Sequence, residues 1–424
     1  MDNPYVQYMY SYPHKTAYGP LSGVCLEDYI QRLSGGQNSL YFHIPFCQSK
    51  CGYCNLFSVT GQSDEFMSAY VDAMERQVEQ LRTILPERAD FSDLTLGGGT
   101  PLLLSEKQLE RVFFLARDRM GFEGESVIVE TSPAQTTEEK AALLKENGVT
   151  RVSMGVQSFH DEELRTLSRR HRVWQVHRAA RILKKSKFPC INLDLIYGIP
   201  GQTVESLLDS ARQAAAYEPE EMFVYPLYIK KGTFLAQKMN IIHPETVYGM
   251  YQELRDFLKE RGYKQLSMRR FVKDPDPLDQ GSCGFGNTIS VGCGGRSYIG
   301  ELHFCTPFAL GQKSCMDILQ KYMQKKDFLE VIHGYLLSEE EMRRRYVIKN
   351  ILFCCGIDKE EYRCRFDSEP ERDYPLLTEW IRSGLAVADS ARICLTEKGI
   401  SLSDFLGPKL MSEEIREKMR KWRY

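Results

Sequence analysis

Residues 39–58 read SLYFHIPFCQSKCGYCNLFS, and the fold turns on how this stretch is read. Ser39 to Ile44 is apolar and rich in β-forming residues, which predicts a buried strand ended by Pro45. Cys47, Cys51 and Cys54 follow at once, with Gly52 and Tyr53 between the last two. Thiolates are the natural ligands of iron–sulfur clusters. Three from one tight loop can hold three irons of a cubane and leave the fourth iron open to a ligand. Core thiols and zinc are the alternatives. Zinc normally takes four Cys or His ligands, often as paired Cys-x2-Cys units, and no second pair matches. His43 could complete such a set, but its place inside the strand reads as a core histidine.

From this strand the chain alternates. Strands are predicted over 93–96, 126–130, 151–155, 190–195 and 222–227. Helices are predicted over 64–85, 105–117 with Ser105 as cap, 137–147 stopped by Gly148, a stretch ending near 185, and 204–216. Six strands alternating with helices imply right-handed βαβ units on a parallel sheet. A partial or full (β/α)6 barrel fits best, and an open doubly wound sheet is the alternative. The alternation weakens after about residue 240. A helix near 245–261, a strand near 265–269 and a Gly-rich segment over 281–300 follow. Beyond 337, two or three helices precede a hairpin over 385–395 and a further helix, an order that suggests a winged-helix-like appendage. The expected organisation is an irregular N-terminal extension (1–38), a core barrel (39–240), a substrate-side extension (241–336) and a C-terminal domain (337–424).

Composition narrows the function classes. The chain has 424 residues, 42% hydrophobic and 26% charged, with a formal net charge of −2. Nothing here builds the broad positive field that nucleic-acid binding needs. No stretch approaches the roughly 18 apolar residues of a spanning helix. The start, Met1-Asp2-Asn3-Pro4-Tyr5, has no basic n-region or apolar h-region, so a cytoplasmic location is expected. Thirteen cysteines, an odd number, argue for reduced thiols rather than a disulfide framework.

Each predicted strand ends in polar or glycine-rich sequence. The second ends in Gly97-Gly98-Gly99-Thr100-Pro101, the third in Glu130-Thr131-Ser132-Pro133 and the fourth in Gly155-Val156-Gln157-Ser158. The fifth ends in Asp194-Leu195-Ile196-Tyr197-Gly198-Ile199-Pro200. In parallel barrels the site lies at the C-terminal ends of the strands, which is also where the cysteine loop falls. Gly97–Gly99 alone would be a tight turn or a phosphate cradle, but the Lys-Ser/Thr of a Walker loop is absent. Asp194 lies in an apolar strand, and a buried carboxylate needs partners. It is expected to face the cavity with Tyr197 and Gln157 nearby. Arg169 and His171 read equally as site residues or as helix-surface residues.

Together these segments resemble the radical S-adenosylmethionine (SAM) superfamily, and within it the oxygen-independent coproporphyrinogen III oxidase-like branch. YFHIPFCQSKCGYCNLFS, LGGGTP, SMGVQSF followed by LSRRH, and NLDLIYGIPGQT are similar to its motifs in the same order, over roughly residues 39–235. The resemblance implies that Cys47, Cys51 and Cys54 ligate a 4Fe-4S cluster and that Tyr41 and Tyr53 flank cluster and SAM. It implies that Gly98, Gly99 and Thr100 hold the methionine end of SAM, that Glu130 and Arg169 bind its polar groups, and that Ile196 packs on its adenine. Gln157 and Asp194 match positions near a second SAM in the dehydrogenase. They are the candidate catalytic residues here. The resemblance also implies an oxidoreductase, a small-molecule substrate that is tetrapyrrole-like or carboxylate-bearing, and a flavodoxin- or ferredoxin-like electron donor.

The chain also departs from that branch. The HNxxYW motif of the haem chaperones has its counterpart at Cys283-Gly284-Phe285-Gly286-Asn287, without the histidine, and the dehydrogenase's RNFQGYT is missing. Ser267–Phe271, Gly292–Tyr298 and Tyr12–Tyr18 stand as distinctive elements, which resembles a bacterial branch separate from both. Lys230, Lys231, Arg269, Arg270 and Arg296 are candidates to pair with substrate carboxylates, against ordinary surface charge. Cys283, Cys293, Cys354 and Cys355 are candidates for a second cluster, against core thiols.

Overall fold

The structure, a computed structural model, describes residues 4–34, 38–87, 89–229, 232–237, 243–274 and 286–422. Six parallel strands lie side by side in chain order: β1 (Asn38–Ile44), β2 (Phe91–Gly98), β3 (Ser126–Thr131), β4 (Arg151–Gln157), β5 (Cys190–Tyr197) and β6 (Glu221–Pro226). One long helix joins each pair: α1 (Asp64–Ile84), α2 (Glu106–Phe114), α3 (Glu138–Glu146), α4 (Val173–Ser186) and α5 (Val204–Ala215). The caps are those the sequence announces. Ser63 accepts the Phe66 N–H and Thr137 the Lys140 N–H, and Ser105 forms a capping box with Gln108. The predicted 105–117 helix loosens at its end into a π-helical turn, Leu115–Arg119.

The strands alternate in a way that differs from a packed barrel. Leu40, Phe42 and Ile44 of β1, Leu94 and Leu96 of β2, Val127 and Val129 of β3, and Val152, Met154 and Val156 of β4 are buried. Strand residues two apart share a face, so these form the side under the helices. The intervening positions carry Tyr41, Thr95, Glu130, Ser153 and Asp194, and these are only half-buried. The inner face is therefore polar and partly open, a lumen rather than a core.

The described strands leave two edges, so the sheet is a partial barrel and not a closed one. Beyond β6 it continues through β7 (Arg270–Val272), antiparallel to β6, and the two-residue strand Lys264–Gln265. The predicted strand over 265–269 is thus broken. The Ser267 hydroxyl accepts the N–H groups of Arg269 and Arg270 at 3.3 and 3.2 Å and turns the chain there. On the other side, β8 (Asn287–Val291) pairs in parallel with β1, and β9 (Arg296–Ile299), β10 (Leu302–Cys305) and β11 (His333–Leu336) follow as an antiparallel meander. The segment read as merely Gly-rich thus supplies two strands of the main sheet, which does not stop at residue 240.

The N-terminal segment shows how far the sheet curves. Tyr8 lies 6.2 Å from Tyr225 of β6, Tyr10 lies under the Arg296 guanidinium of β9 at 4.8 Å, and the two tyrosine rings are 5.3 Å apart. Two arms of the sheet are brought to one short stretch of chain. Outside the sheet, α6 (Pro244–Glu260) precedes β7 and α7 (Glu339–Ile351) follows β11. A small antiparallel sheet of Ile357–Asp358, Arg392–Leu395 and Ala386–Ala388 contains the expected hairpin. No helix among the described residues is long and apolar enough to cross a membrane.

Candidate active site

The cysteine loop leaves β1 at the C-terminal rim. Phe46–Cys47 pairs with Val59–Thr60, which closes the loop, and the Gly52 N–H bonds the Leu167 carbonyl at 3.0 Å. The strand-end glycines meet the loop directly. Gly99 and Thr100 donate their N–H groups to the carbonyls of Ile44 and Phe46, both at 2.8 Å. The Thr100 hydroxyl lies 3.9 Å from the Cys47 sulfur. A Cβ at Gly99 would stand 2.5 Å from the Phe46 carbonyl oxygen and 3.0 Å from the Cys47 sulfur, so only glycine allows this approach. Gly99→Ala is accordingly expected to lose most of the iron taken up on anaerobic reconstitution with little change in far-ultraviolet circular dichroism. Full iron content in that variant would separate Gly99 from the loop's function.

The three thiols influence one another. Burial, with Cys54 and Cys51 close by, pushes the Cys47 thiol up to about 12, and burial with Cys51 nearby raises Cys54. Among the described residues no three His, Cys, Asp or Glu side chains converge on a single ion. A cubane presents a separate iron to each thiolate and so takes ligands spread wider than one ion would. His43, the alternative zinc ligand, is buried with its Nε2 3.2 Å from the Phe57 carbonyl and its Nδ1 3.3 Å from the Tyr41 hydroxyl.

The remaining candidates line the lumen and rim. Glu130 accepts the Gly98 N–H at 3.0 Å, and burial raises its carboxyl. The Arg169 guanidinium donates to the Tyr53 hydroxyl at 3.3 Å and lies within the fields of Cys51 and Cys54, which ties it to the cysteine loop. Gln157 holds a left-handed backbone, φ 75°, at a register shift between β4 and β5. Its Nε2 and the Arg169 Nη2 come within 2.8 and 3.0 Å of where a Cβ at Gly155 would stand, so the two side chains meet over that glycine. Ile196 belongs to a small apolar cluster with Leu167, Ile199 and Leu235, against which Tyr53 and Tyr225 pack.

Asp194 sits on the inner face, in register with Gly155 and Phe223 on its two neighbours. Asn192 donates to it at 2.7 Å. Burial holds its carboxyl up to about 7, with Asn192 and Arg151 opposing and Glu130 and Glu221 reinforcing. The expectation that Tyr197 stands beside it fails for a simple reason. Residues three apart on a strand face opposite ways. Tyr197 is buried on the far face, 5.7 Å from Tyr251.

The substrate-side cations divide. Arg269 is buried, paired with Asp404 and bonded to the Tyr228 hydroxyl at 2.6 Å, and Arg270 is paired with Glu221. Both charges are thus paired with carboxylates of the chain itself. Lys230 and Lys231 lie outside the described residues, as does Cys283. The other second-cluster candidates do not gather. Cys293 has Cys315 and Cys305 as its thiol neighbours, whereas Cys354 has Cys355 and Cys394.

Residues 41–214 match the family model described as the radical SAM superfamily. Over these residues the chain is similar to radical SAM domains. It is 27% identical over 391 residues to the heme chaperone HemW of Lactococcus lactis subsp. lactis (strain IL1403), covering 89% of this chain and 98% of that one. It is also 27% identical over 422 residues to the oxygen-independent coproporphyrinogen III oxidase of Escherichia coli (strain K12), covering 93% and 91%. The solved coproporphyrinogen III oxidase (HemN) from Escherichia coli superposes with a TM-score of 0.81 at 24% identity, over 95% of this chain and 96% of that chain, and thus has the same fold. Radical SAM domains use a 4Fe-4S cluster with SAM. The donors on this chain suit that pair: three thiols on one rim loop, a glycine run closed against it, and buried polar groups behind.

Proposed function

We propose that the chain is a radical SAM enzyme that binds a 4Fe-4S cluster through Cys47, Cys51 and Cys54. The observation that carries this reading is convergence. The cysteine loop, Gly98–Thr100, Glu130, Gln157, Arg169 and Asp194 come from five strand ends and meet at one rim above a polar lumen. Held there, a reduced cluster together with SAM would supply one-electron chemistry for hydrogen-atom abstraction from a tetrapyrrole-like or carboxylate-bearing substrate. The chain's own residues bind and orient. Gly98, Gly99 and Thr100 take the methionine end of SAM beside Cys47. Glu130 and Arg169 meet its polar groups, and Tyr41 and Tyr53 flank it. The apolar cluster around Ile196 receives the adenine. Asp194 and Gln157 face the reacting centre. A flavodoxin- or ferredoxin-like protein is the proposed electron donor.

Glu130→Ala and Arg169→Ala are expected to weaken SAM binding at least about tenfold each, because each removes a charged partner, and to leave the cluster intact. A SAM titration followed by the cluster's EPR signal measures this. Unchanged affinity in both variants would remove them from the site.

A second reading, a haem- or tetrapyrrole-binding chaperone, is favoured by the match to HemW over nearly all of that protein's length. The reduced, reconstituted protein mixed with SAM separates the two. The enzyme reading requires 5′-deoxyadenosine to form with substrate turnover. Stoichiometric haem binding with no 5′-deoxyadenosine would replace it with the chaperone.

A further inference from the structure

From residue 164 to 193 the chain has no Asp or Glu, yet nine Lys or Arg fall there, in a molecule of net charge −2. Arg169 is drawn into the rim, and the other eight are exposed. Arg165, Lys184 and Lys185 are paired with Glu162, Glu218 and Glu138. Arg170 and Arg172 form no ion pair among the described residues. Arg181 donates its Nε to the His177 carbonyl at 3.1 Å, and Arg178 lies in the field of Glu139 and 6.0 Å from the Trp174 ring. Helix α4 sets these groups in a row. Positions 174, 178, 181 and 185 follow the spacing of one helix face, about 16 Å from end to end. The opposite face, Val176, Ala179, Ala180, Ile182 and Leu183, is buried. Trp174 heads the exposed face and, at 59%, is the most exposed large apolar side chain among the described residues.

The head of this ridge adjoins the cysteine loop. A Cβ at Gly52 would stand 2.9 Å from both the Ser168 hydroxyl and the Leu235 side chain, and the Gly52 carbonyl accepts the Leu235 N–H at 2.9 Å. Arg170 and Arg172 follow Ser168 closely, the exposed Phe234 precedes Leu235, and the exposed Leu56 follows Cys54 by two residues. Exposed cationic and apolar groups thus surround the loop that carries the thiols. Protein interfaces are enriched in Trp and Arg, and charge of one sign steers a partner of the other. A membrane surface suits the ridge poorly, because the apolar face of α4 is already buried and only Trp174 is left to insert. A protein that must come close to the thiols suits it well. We propose that Arg170, Arg172, Trp174 and Arg178 dock an acidic one-electron carrier protein beside the cysteine loop. The role of this surface rests on the radical SAM reading above. One electron leaves the carrier and one enters the cluster, and no bond forms or breaks. Redox encounters use small interfaces, so one helix face and a loop edge suffice.

Docking is measured without SAM or turnover, so its failure is separate from failure of the radical reading. The reconstituted full chain is titrated by calorimetry with an acidic flavodoxin as the probe, at about 20 and about 200 mM salt. Saturable binding is expected, weakened at least about tenfold at the higher salt. Arg170→Glu, Arg172→Glu and Arg178→Glu together are expected to weaken it at least about tenfold at low salt. They should also slow cluster reduction by reduced flavodoxin and leave reduction by dithionite, which needs no docking, unchanged. The same charge change at Lys264, Arg382 and Lys398, exposed cations beyond residue 240, should leave flavodoxin binding unchanged. Should the triple variant not fold, Trp174→Ala is expected to weaken binding several-fold. No saturable binding, full binding in the folded variants, or equal weakening by the Lys264, Arg382 and Lys398 changes would overturn the docking surface. Phosphatidylglycerol vesicles or duplex DNA bound more tightly than flavodoxin through the same arginines would overturn its assignment to a carrier protein.

Discussion

Replacing Cys47, Cys51 and Cys54 together by alanine is expected to leave the protein without an iron–sulfur chromophore after anaerobic reconstitution. The wild-type chain should hold about four irons and four sulfides. His43, the alternative ligand beside the loop, is already bonded, its ring nitrogens engaged by Tyr41 and the Phe57 carbonyl. The thiols also set a pH condition. Cys47 is pushed up to about 12 by burial and by its neighbouring thiols, so at neutral pH it is protonated until metal displaces the proton. Cluster uptake should therefore slow as pH falls. Iron and sulfide analysis with the visible spectrum measures the outcome. Full iron in the triple variant would move the cluster elsewhere, first to the Cys354, Cys355 and Cys394 group, whose thiols are neighbours.

How much of this was legible in the chain depended on the range of the interaction involved. The six barrel strands were, because each is a short β-branched or aromatic run bounded by Gly, Pro or a capped helix. The rim was too, since strand ends in a βαβ unit fall on one side whatever the tertiary detail. What required the fold is of three kinds. Asn287–Val291 looked like part of a glycine-rich loop because its pairing partner, β1, lies far back in the sequence. The fates of Arg269 and Arg270 depended on Asp404 and Glu221, two remote carboxylates that local charge counting does not reach. Arg296, His303 and Arg345 carry no shared spacing, yet all three gather around the Tyr298 ring, which only the fold brings about. Tyr197 is different. Its parity relative to Asp194 was readable, and strand alternation alone places it on the opposite face.

Asp194→Asn is expected to cut 5′-deoxyadenosine formation with substrate at least about tenfold while leaving the cluster in place. The amide keeps the shape and removes the ionisable group. The reason to expect function rather than scaffolding is the company Asp194 keeps. It faces a half-open lumen, its hydrogen-bond donor is the Asn192 amide, and the nearby Arg151 is paired with Glu221 at 2.5 Å. Stability gives an independent readout. Burial holds the folded carboxyl up to about 7, whereas in the unfolded chain it titrates in the ordinary carboxylate range. Below that range both states carry the proton and nothing changes with pH. Between it and about 7 the folded state retains the proton that the unfolded state has lost, so stability falls as pH rises through this window. The wild type should therefore lose melting temperature between about pH 5 and pH 8 relative to Asp194→Asn, which has no proton to release. At pH 8 the variant should be as stable as the wild type or more so, and yet much less active. A structural carboxylate behaves in the opposite way. If Asp194→Asn melts lower at every pH and still forms 5′-deoxyadenosine normally per folded molecule, Asp194 belongs to the scaffold and the catalytic assignment falls.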